Sequence, residues 1–121
     1  MNFKNKDLII APIRHCLPAV KLFARSLIKI LEQRPDVILV LLDNQSDNDI
    51  KELLRSLKHE RLIVEFLPEN VGKARATNEF IVKHLDQGTL PRTIWSMDPD
   101  IIIDARSFDY LVEAIQNAPD N

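Results

Sequence analysis

The sequence predicts an α/β fold in which a mostly parallel, open sheet carries helices on both faces, a three-layer α/β/α arrangement. Three observations predict this class. Apolar stretches of strand length alternate with segments of helical periodicity along the chain. Val37–Leu42 is apolar at six consecutive positions, which is typical of a parallel strand covered on both faces. The length of 121 residues suits one domain with a single core.

The first half of the chain predicts two strands, each followed by a helix. Asp7–Ile13 contains a nearly continuous apolar run and is predicted as the first strand. The next helix begins near Pro18, which suits a first helical turn, and ends before Pro35. After the strand Val37–Leu42, the polar loop 43–49 is expected to supply the N-cap of a second helix. That helix carries apolar residues at helical spacing: Ile50, Leu53, Leu54 and Leu57.

The second half repeats the alternation. Leu62–Leu67 mixes apolar and charged residues, as expected for a strand nearer the sheet edge. Lys73–Leu85 returns to helical spacing after the turn 68–72. Thr93–Met97 is interpreted as a buried fourth strand. A last helix is marked by apolar residues at helical spacing: Phe108, Leu111, Val112 and Ile115.

Composition narrows the class of protein. The net charge is −2 and the two signs are interspersed, so no binding to nucleic acid is expected. Cys16 is the only cysteine, which excludes an intrachain disulfide and favours a reducing compartment such as the cytoplasm. No apolar run has the length of a membrane span, and Met1–Asp7 carries no signal-peptide core.

Polar side chains follow three of the predicted strands, at the edge of a parallel sheet where ligands bind. They are Arg14 and His15, Asp43 and Asn44, and Asp98 and Asp100. On an extended segment Asp98 and Asp100 would point the same way and could share a divalent cation with phosphate oxygens of a ligand. Pro99 between them suits a turn at the end of a strand. The alternative is a pair of turn acids that cap the next helix.

Three familiar kinds of α/β domain lack their required residues in this chain. Gly72 and Gly88 are the only glycines, whereas a dinucleotide-binding domain needs glycines in its first strand-to-helix turn. The same lack excludes a phosphate-cradling loop that ends in Gly-Lys-Ser/Thr. A receiver domain needs paired acids after its first strand, where this chain has Arg14 and His15.

Four segments together resemble the family 2 glycosyltransferases of GT-A fold, and they occur in the family's order and spacing. They are 8–13 with Pro12, 41–47, 69–78 and 97–100. The resemblance implies a Rossmann-like GT-A domain with a site for a nucleotide-diphosphate sugar of UDP or GDP type. Residues 1–121 would form that single domain and are expected to be truncated before the acceptor-binding half.

The resemblance also implies roles for individual residues at the nucleoside. Pro12, Ile13 and Arg14 would line the nucleoside by backbone contacts. Asp43 or Asn44 would hydrogen-bond the base, whose edge offers both donors and acceptors. The alternative for these two side chains is a loop in which they bond only nearby backbone.

At the phosphates, Asn70, Gly72 and Asn78 match the family's third motif, where a turn enters a helix whose amino end faces the donor. Lys73 and Arg75 would add positive charge there, or lie on a solvated helix face.

Asp98 and Asp100 correspond to the family's Asp-x-Asp. One carboxylate would bind Mn²⁺ or Mg²⁺ directly, and the other would reach the ribose or a metal-bound water. The cation would stabilise negative charge on the leaving nucleotide.

The chain departs from the family pattern at His15, where Asn is usual, and at Gln45, where Gly is usual. The histidines His15, His59 and His84 are scattered and are interpreted as surface or core residues. About twenty residues follow the Asp pair, so no residue is nominated as the catalytic base, which would lie outside this chain.

The resemblance therefore implies metal-dependent transfer of a sugar, with inversion, to an unknown acceptor. The alternative is a non-catalytic nucleotide- or protein-binding module of the same fold. A sheet that lacks part of its strands could also expose apolar surface and form a homodimer.

Overall fold

The computed structural model describes residues 2–101 and 104–119, so residues 1, 102, 103, 120 and 121 of the predicted domain lie outside the described residues. The described elements are β1 (Asp7–Ile13), α1 (Leu17–Gln33), β2 (Val37–Asp43), α2 (Asn48–Ser56), β3 (Leu62–Phe66), α3 (Lys73–His84), a short 3₁₀ helix (Gln87–Thr89), β4 (Thr93–Ser96) and α4 (Ala105–Gln116). The strands form one sheet in the order β3-β2-β1-β4, and every neighbouring pair is parallel. The predicted alternating α/β fold is confirmed.

The two central strands are buried along their whole length. β1 and β2 pair in register from Asp7 opposite Val37 to Ile13 opposite Asp43, and all seven residues of each strand are buried. Each has a neighbouring strand on both sides and helices on both faces, which explains why their sequences are nearly continuous apolar runs.

The helices divide between the two faces of the sheet. On one face, α1, α2 and α4 pack on alternate residues of the central strands, such as Ile9, Leu39 and Leu41. On the other face, α3 packs Ala76 and Phe80 against the remaining strand residues: Leu8, Ile10, Ile38, Val40 and Leu42. The predicted three-layer arrangement is thereby confirmed.

The proline positions predicted the ends of α1 correctly, whereas one predicted helix cap forms no side-chain hydrogen bond. Pro18 lies in the first turn of α1, and the helix ends at Gln33, before Pro35. Asp104 caps α4 by accepting a 2.7 Å hydrogen bond from the Ser107 backbone N–H. Asp47 occupies the N-cap position of α2, but its side chain makes no capping hydrogen bond. Loop 43–49 thus supplies the N-cap residue, as predicted, without the hydrogen bond that a cap usually makes.

A cluster of charged side chains holds the amino edge of the sheet together. The fully buried carboxylate of Asp7 accepts hydrogen bonds from Arg34 Nη2 at 3.0 Å, Arg92 Nε at 3.1 Å and Thr93 Oγ1 at 2.6 Å. Asp36 binds both Arg34 and Arg92, and the hydrogen bond from Arg34 lowers the pKa of Asp36 from 3.8 to about 2. We call these residues the amino-edge cluster: Asp7, Arg34, Asp36, Arg92 and Thr93.

The prediction of a buried fourth strand is wrong. β4 ends at Ser96 and lies at the edge of the described sheet, beside β1. Trp95 packs against Phe108 of α4, with ring centroids 5.2 Å apart, while Ile94 on the opposite face is 43% exposed. The apolar run indicated burial on both faces, but Ile94 is not among the residues that pack with α3. The predicted edge position of β3 is confirmed.

Within residues 2–101 and 104–119, no helix combines the length and the apolar character that a membrane crossing requires.

Candidate functional site

A cleft of about 440 Å³ opens at the carboxyl edge of the sheet. It is formed by the segments that follow β1, β2 and β4 and by the turn before α3. Its lining residues are Pro12, Ile13, Arg14, His15, Asn44, Asn70, Gly72, Lys73, Asp98, Pro99 and Asp100. Because the carboxyl ends of parallel strands share one edge, residues far apart in the chain meet there. Among the predicted site residues, Asp43, Arg75 and Asn78 do not line this cleft.

The end of β1 forms one wall. The carbonyl oxygen of Ile13, the last strand residue, accepts a 2.8 Å hydrogen bond from the Asn44 backbone N–H. Arg14 and His15 follow as exposed residues. Nδ1 of His15 lies 4.0 Å from Oδ2 of Asp47, so this wall also faces the loop after β2.

Asp43 is buried beneath the cleft rather than exposed in it. Its Oδ2 atom accepts a 2.6 Å hydrogen bond from Lys51 Nζ, and its Oδ1 atom accepts hydrogen bonds from the backbone N–H and the hydroxyl of Ser46. Lys51 also donates to the Ser46 carbonyl oxygen at 3.0 Å. Asp43 therefore fixes the loop after β2 to α2. The sequence analysis left open bonding to nearby backbone only; the Ser46 N–H fits that alternative, but the bonds from the Ser46 hydroxyl and from Lys51 go beyond it.

Asn44, the next residue, does line the cleft. Its Oδ1 atom accepts a 2.9 Å hydrogen bond from the Val71 backbone N–H, which ties the loop after β2 to the turn before α3. Within the described part of the chain its amide nitrogen donates to no other residue, although the residue as a whole is only 3% exposed. Both N–H donors of this amide group thus remain for a ligand.

The turn that enters α3 forms the floor. Oδ1 of Asn70 accepts a 3.1 Å hydrogen bond from the Gly72 N–H, and Gly72 has a φ of 84°, which favours glycine. The first bond of α3 runs from the Ala76 N–H to the Gly72 carbonyl oxygen, so the N–H groups of residues 73–75 have no partner within the helix. No described side chain caps this end. The positive end of the helix dipole therefore faces the cleft and favours an anion.

Asp98 and Asp100 lie on a tight turn, so the extended geometry predicted for them is wrong. The N–H of Ile101 donates a 3.1 Å hydrogen bond to the Asp98 carbonyl oxygen and closes the turn around Pro99. The residue pairing of β4 with β1 ends at Ser96, and a last hydrogen bond joins the Met97 N–H to the Ile10 carbonyl oxygen at 3.0 Å before the turn begins. Pro99 lies in a turn, as predicted. Both residues line the cleft despite the different backbone.

Lys73 and Asp98 form an ion pair across the cleft. The Lys73 Nζ to Asp98 Oδ1 distance is 2.8 Å, and this hydrogen bond raises the pKa of Lys73. The side chains are 66% and 45% exposed. Among the residues with described positions, no group of three or more His, Cys, Asp or Glu side chains could hold a metal ion. Asp98 and Asp100 could supply only part of a coordination shell.

Arg75 and Asn78 lie on another face of α3. They line a separate surface depression with Glu79, Val82 and Lys83. Arg75 Nε is 2.7 Å from Glu79 Oε1 one turn later, an exposed i,i+4 pair. The structure therefore brings Asn70, Gly72 and Lys73 of this motif into the cleft and leaves Arg75 and Asn78 outside it.

Two features of the site were not fully predicted. The sequence analysis placed His15 at this edge of the sheet but interpreted it as a surface or core residue, and it lines the cleft. The role of Lys51 was not predicted, although the residue pattern of β2 indicates it. Leu39, Leu41 and Asp43 alternate onto the face covered by α1 and α2, so the aspartate needs a cation from those helices.

Comparison with known proteins gives one family and one fold. The family described as Glycosyl transferase family 2 matches residues 9–121. Comparison with curated proteins found no match. The crystal structure of S. aureus TarS 1–349 aligns with a TM-score of 0.67 at 17% identity, over 92% of this chain and 32% of that chain. This likeness shows the fold, and the predicted GT-A architecture is confirmed. The chain spans about a third of the TarS chain that it matches.

Proposed function

The chain belongs to glycosyl transferase family 2, and from that premise we propose that its cleft binds the nucleotide-diphosphate sugar of a metal-dependent glycosyl transfer. One observation carries the proposal. Residues from four separate segments, which resemble the family's motifs, line one cleft of about 440 Å³ at the carboxyl edge of a parallel sheet. The acceptor remains unassigned, and no residue is assigned as a general base.

The cleft offers different chemistry to each part of such a donor. For the base, the amide nitrogen of Asn44 supplies a hydrogen-bond donor, and Pro12, Ile13 and Arg14 form the adjacent wall. For the diphosphate, the uncapped amino end of α3 supplies backbone N–H groups, and Lys73 supplies a positive charge. Asp43 acts indirectly in this proposal, because it fixes the loop that carries Asn44.

The residues at the end of β4 fit a divalent cation. Asp98 and Asp100 provide hard oxygen ligands that open onto the cleft. Mg²⁺ and Mn²⁺ accept one or two carboxylates when phosphate oxygens and water complete the shell. When bound, the cation would supply Lewis-acid stabilisation of the negative charge on the departing nucleoside diphosphate. Inversion at the sugar carbon, which the family resemblance implies, is part of the proposal.

Calorimetric titration of UDP, and separately GDP, into the purified chain with and without Mn²⁺ tests this function. We expect one nucleotide to bind in the presence of Mn²⁺ and Asp100→Asn to weaken that binding about tenfold or more, because a metal ligand is lost. Asp86→Asn is the matched control. It removes the same charge from an exposed residue in the connection that leads to β4, at the opposite edge of the sheet, where Asn can replace the cap to the Gly88 N–H.

Binding that requires both Mn²⁺ and Asp100 would support the donor site. Equal binding by Asp100→Asn and Asp86→Asn would argue against the cation site. If neither nucleotide binds a chain that is folded by circular dichroism, the donor assignment is wrong, and the non-catalytic protein-binding module takes its place.

A further inference from the structure

One ion pair joins the two parts of the cleft that are assigned to the phosphates and to the cation. Lys73 is the first residue of α3, and Asp98 is the first residue of the turn that follows β4. Their charged groups are 2.8 Å apart. The same carboxylate is therefore both a ligand for the proposed cation and the partner of a lysine that faces the proposed phosphates.

Lys73 and Asp98 can each exchange the other for a ligand as binding partner. The side chains are 66% and 45% exposed, and exposed ion pairs contribute little stability because water solvates both charges when they separate. A ligand that offers either group a stronger partner can therefore displace the other group at little cost. A buried pair, such as Asp43 with Lys51, could not separate in this way.

A divalent cation and the Lys73 ammonium group compete for Asp98. A cation bound to Asp98 and Asp100 would repel an ammonium group held 2.8 Å from the Asp98 carboxylate, because both carry positive charge. Cation binding therefore releases Lys73 from Asp98. Conversely, the lysine opposes cation binding as long as it has no other partner.

Once released, the Lys73 side chain can reach one anionic group when the donor is bound, namely the donor diphosphate. The Lys73 backbone is fixed at the amino end of α3, and a four-carbon side chain keeps its ammonium group within about 6 Å of its Cα atom. The group consequently stays beside the uncapped helix end, where the donor diphosphate is proposed to bind. A lysine binds phosphate as a compact point charge and needs no fixed orientation.

Resting on the function proposed above, we propose that Lys73 is an exchangeable counter-ion that neutralises Asp98 before the cation binds and then passes to the donor diphosphate. The lysine then has opposite effects on the two ligands. It weakens binding of the cation alone and strengthens binding of the diphosphate once the cation is present. Because coupling between two ligands is reciprocal, part of the mutual enhancement between cation and nucleotide is carried by this side chain.

Lys73→Met tests the exchange through two binding measurements. Free Mn²⁺ is followed by its room-temperature electron paramagnetic resonance signal without nucleotide, over a range that extends to millimolar metal. UDP and GDP binding is followed by calorimetry at saturating Mn²⁺. We expect the variant to bind Mn²⁺ alone about two- to fivefold more tightly, because the competing charge is gone. We expect it to bind the nucleotide about tenfold more weakly, because a charged hydrogen bond is lost.

Two variants serve as controls. Lys73→Arg keeps the positive charge and is expected to stay close to the unsubstituted chain in both measurements. Lys83→Met removes an exposed lysine from the last turn of the same helix and is expected to change neither affinity. It matches the change in net charge of Lys73→Met.

Opposite changes in the two affinities, restricted to Lys73→Met, are the expected result. If Lys73→Met binds both Mn²⁺ and nucleotide more weakly, or if its Mn²⁺ binding is unchanged, the proposed exchange of Lys73 is wrong. This holds even when the unsubstituted chain binds nucleotide with Mn²⁺. If the unsubstituted chain binds no nucleotide at all, the proposed function fails first. The two failures are thus distinguishable.

Discussion

The Asp43 carboxylate and the Lys51 ammonium group form a 2.6 Å ion pair between the end of β2 and helix α2. The Asp43 side chain is fully buried and that of Lys51 is 16% exposed. With Ser46, this pair fixes the loop that presents Asn44 to the cleft. The buried Asp43 side chain thus holds the next residue, Asn44, in its position at the cleft.

We expect Lys51→Met to lower the free energy of unfolding by about 3 kcal/mol, because it leaves the Asp43 charge buried without its cation. Urea unfolding followed by circular dichroism measures the change. The control Lys58→Met removes an exposed lysine just after α2 and is expected to stay within about 0.5 kcal/mol. Equal losses in the two variants would contradict the structural role of the pair.

The two glycines of the chain give a matched test of the turn before α3. Gly72 has a φ of 84° and a Cβ there would meet nothing within 4 Å, so Gly72→Ala would suffer backbone strain without steric contact. We expect it to lose about 1–3 kcal/mol of stability and to weaken nucleotide binding. Gly88→Ala places its Cβ at an ordinary 3.7 Å from Asp86 Oδ1 and is expected to change little. Unfolding and calorimetry on both variants measure this, and the proposal would fail if Gly88→Ala were the more damaging.

Acid should remove part of the stability that Asp36 provides. Its pKa is lowered from 3.8 in the unfolded chain to about 2 in the folded protein, chiefly by Arg34. A lowered pKa contributes stability that is fully present above pH 4 and is lost as the pH falls towards 2. We expect Asp36→Asn to cost about 1 kcal/mol at pH 7, after allowance for the partial exposure of the carboxylate.

The difference between Asp36→Asn and the unsubstituted chain should therefore shrink between pH 4 and pH 2. Urea unfolding at intervals of pH across this window measures it. A difference that stays constant down to pH 2 would show that the carboxylate is not held by its arginine partners.

The sequence predicted the fold well because each central element has one consistent pattern. β1 and β2 are buried on both faces, and their unbroken apolar runs show it. The burial of β4 was predicted wrongly because a run of the same kind lies at an edge of the described sheet, where Ile94 is 43% exposed. A short apolar run does not distinguish a central strand from an edge strand, because the covering elements belong to other parts of the chain.

The cleft was predicted less completely because side-chain direction at a strand end depends on small backbone changes. Asp43 completes the alternation of Leu39 and Leu41 and turns inward, whereas Asn44 leaves the strand and reaches the cleft. In α3, Ala76 and Phe80 face the sheet, so Arg75 falls on an exposed face away from the cleft. Both outcomes follow from periodicity once the burying face is known.

The amino-edge cluster and the cleft lie at opposite ends of the same strands. β1 alone, with seven residues, separates them by about 20 Å. Substitutions at such separations usually have additive effects on stability. The loops of the cleft can therefore be substituted while the anchoring charges stay untouched, which makes this small sheet a practical scaffold for testing the proposed donor site.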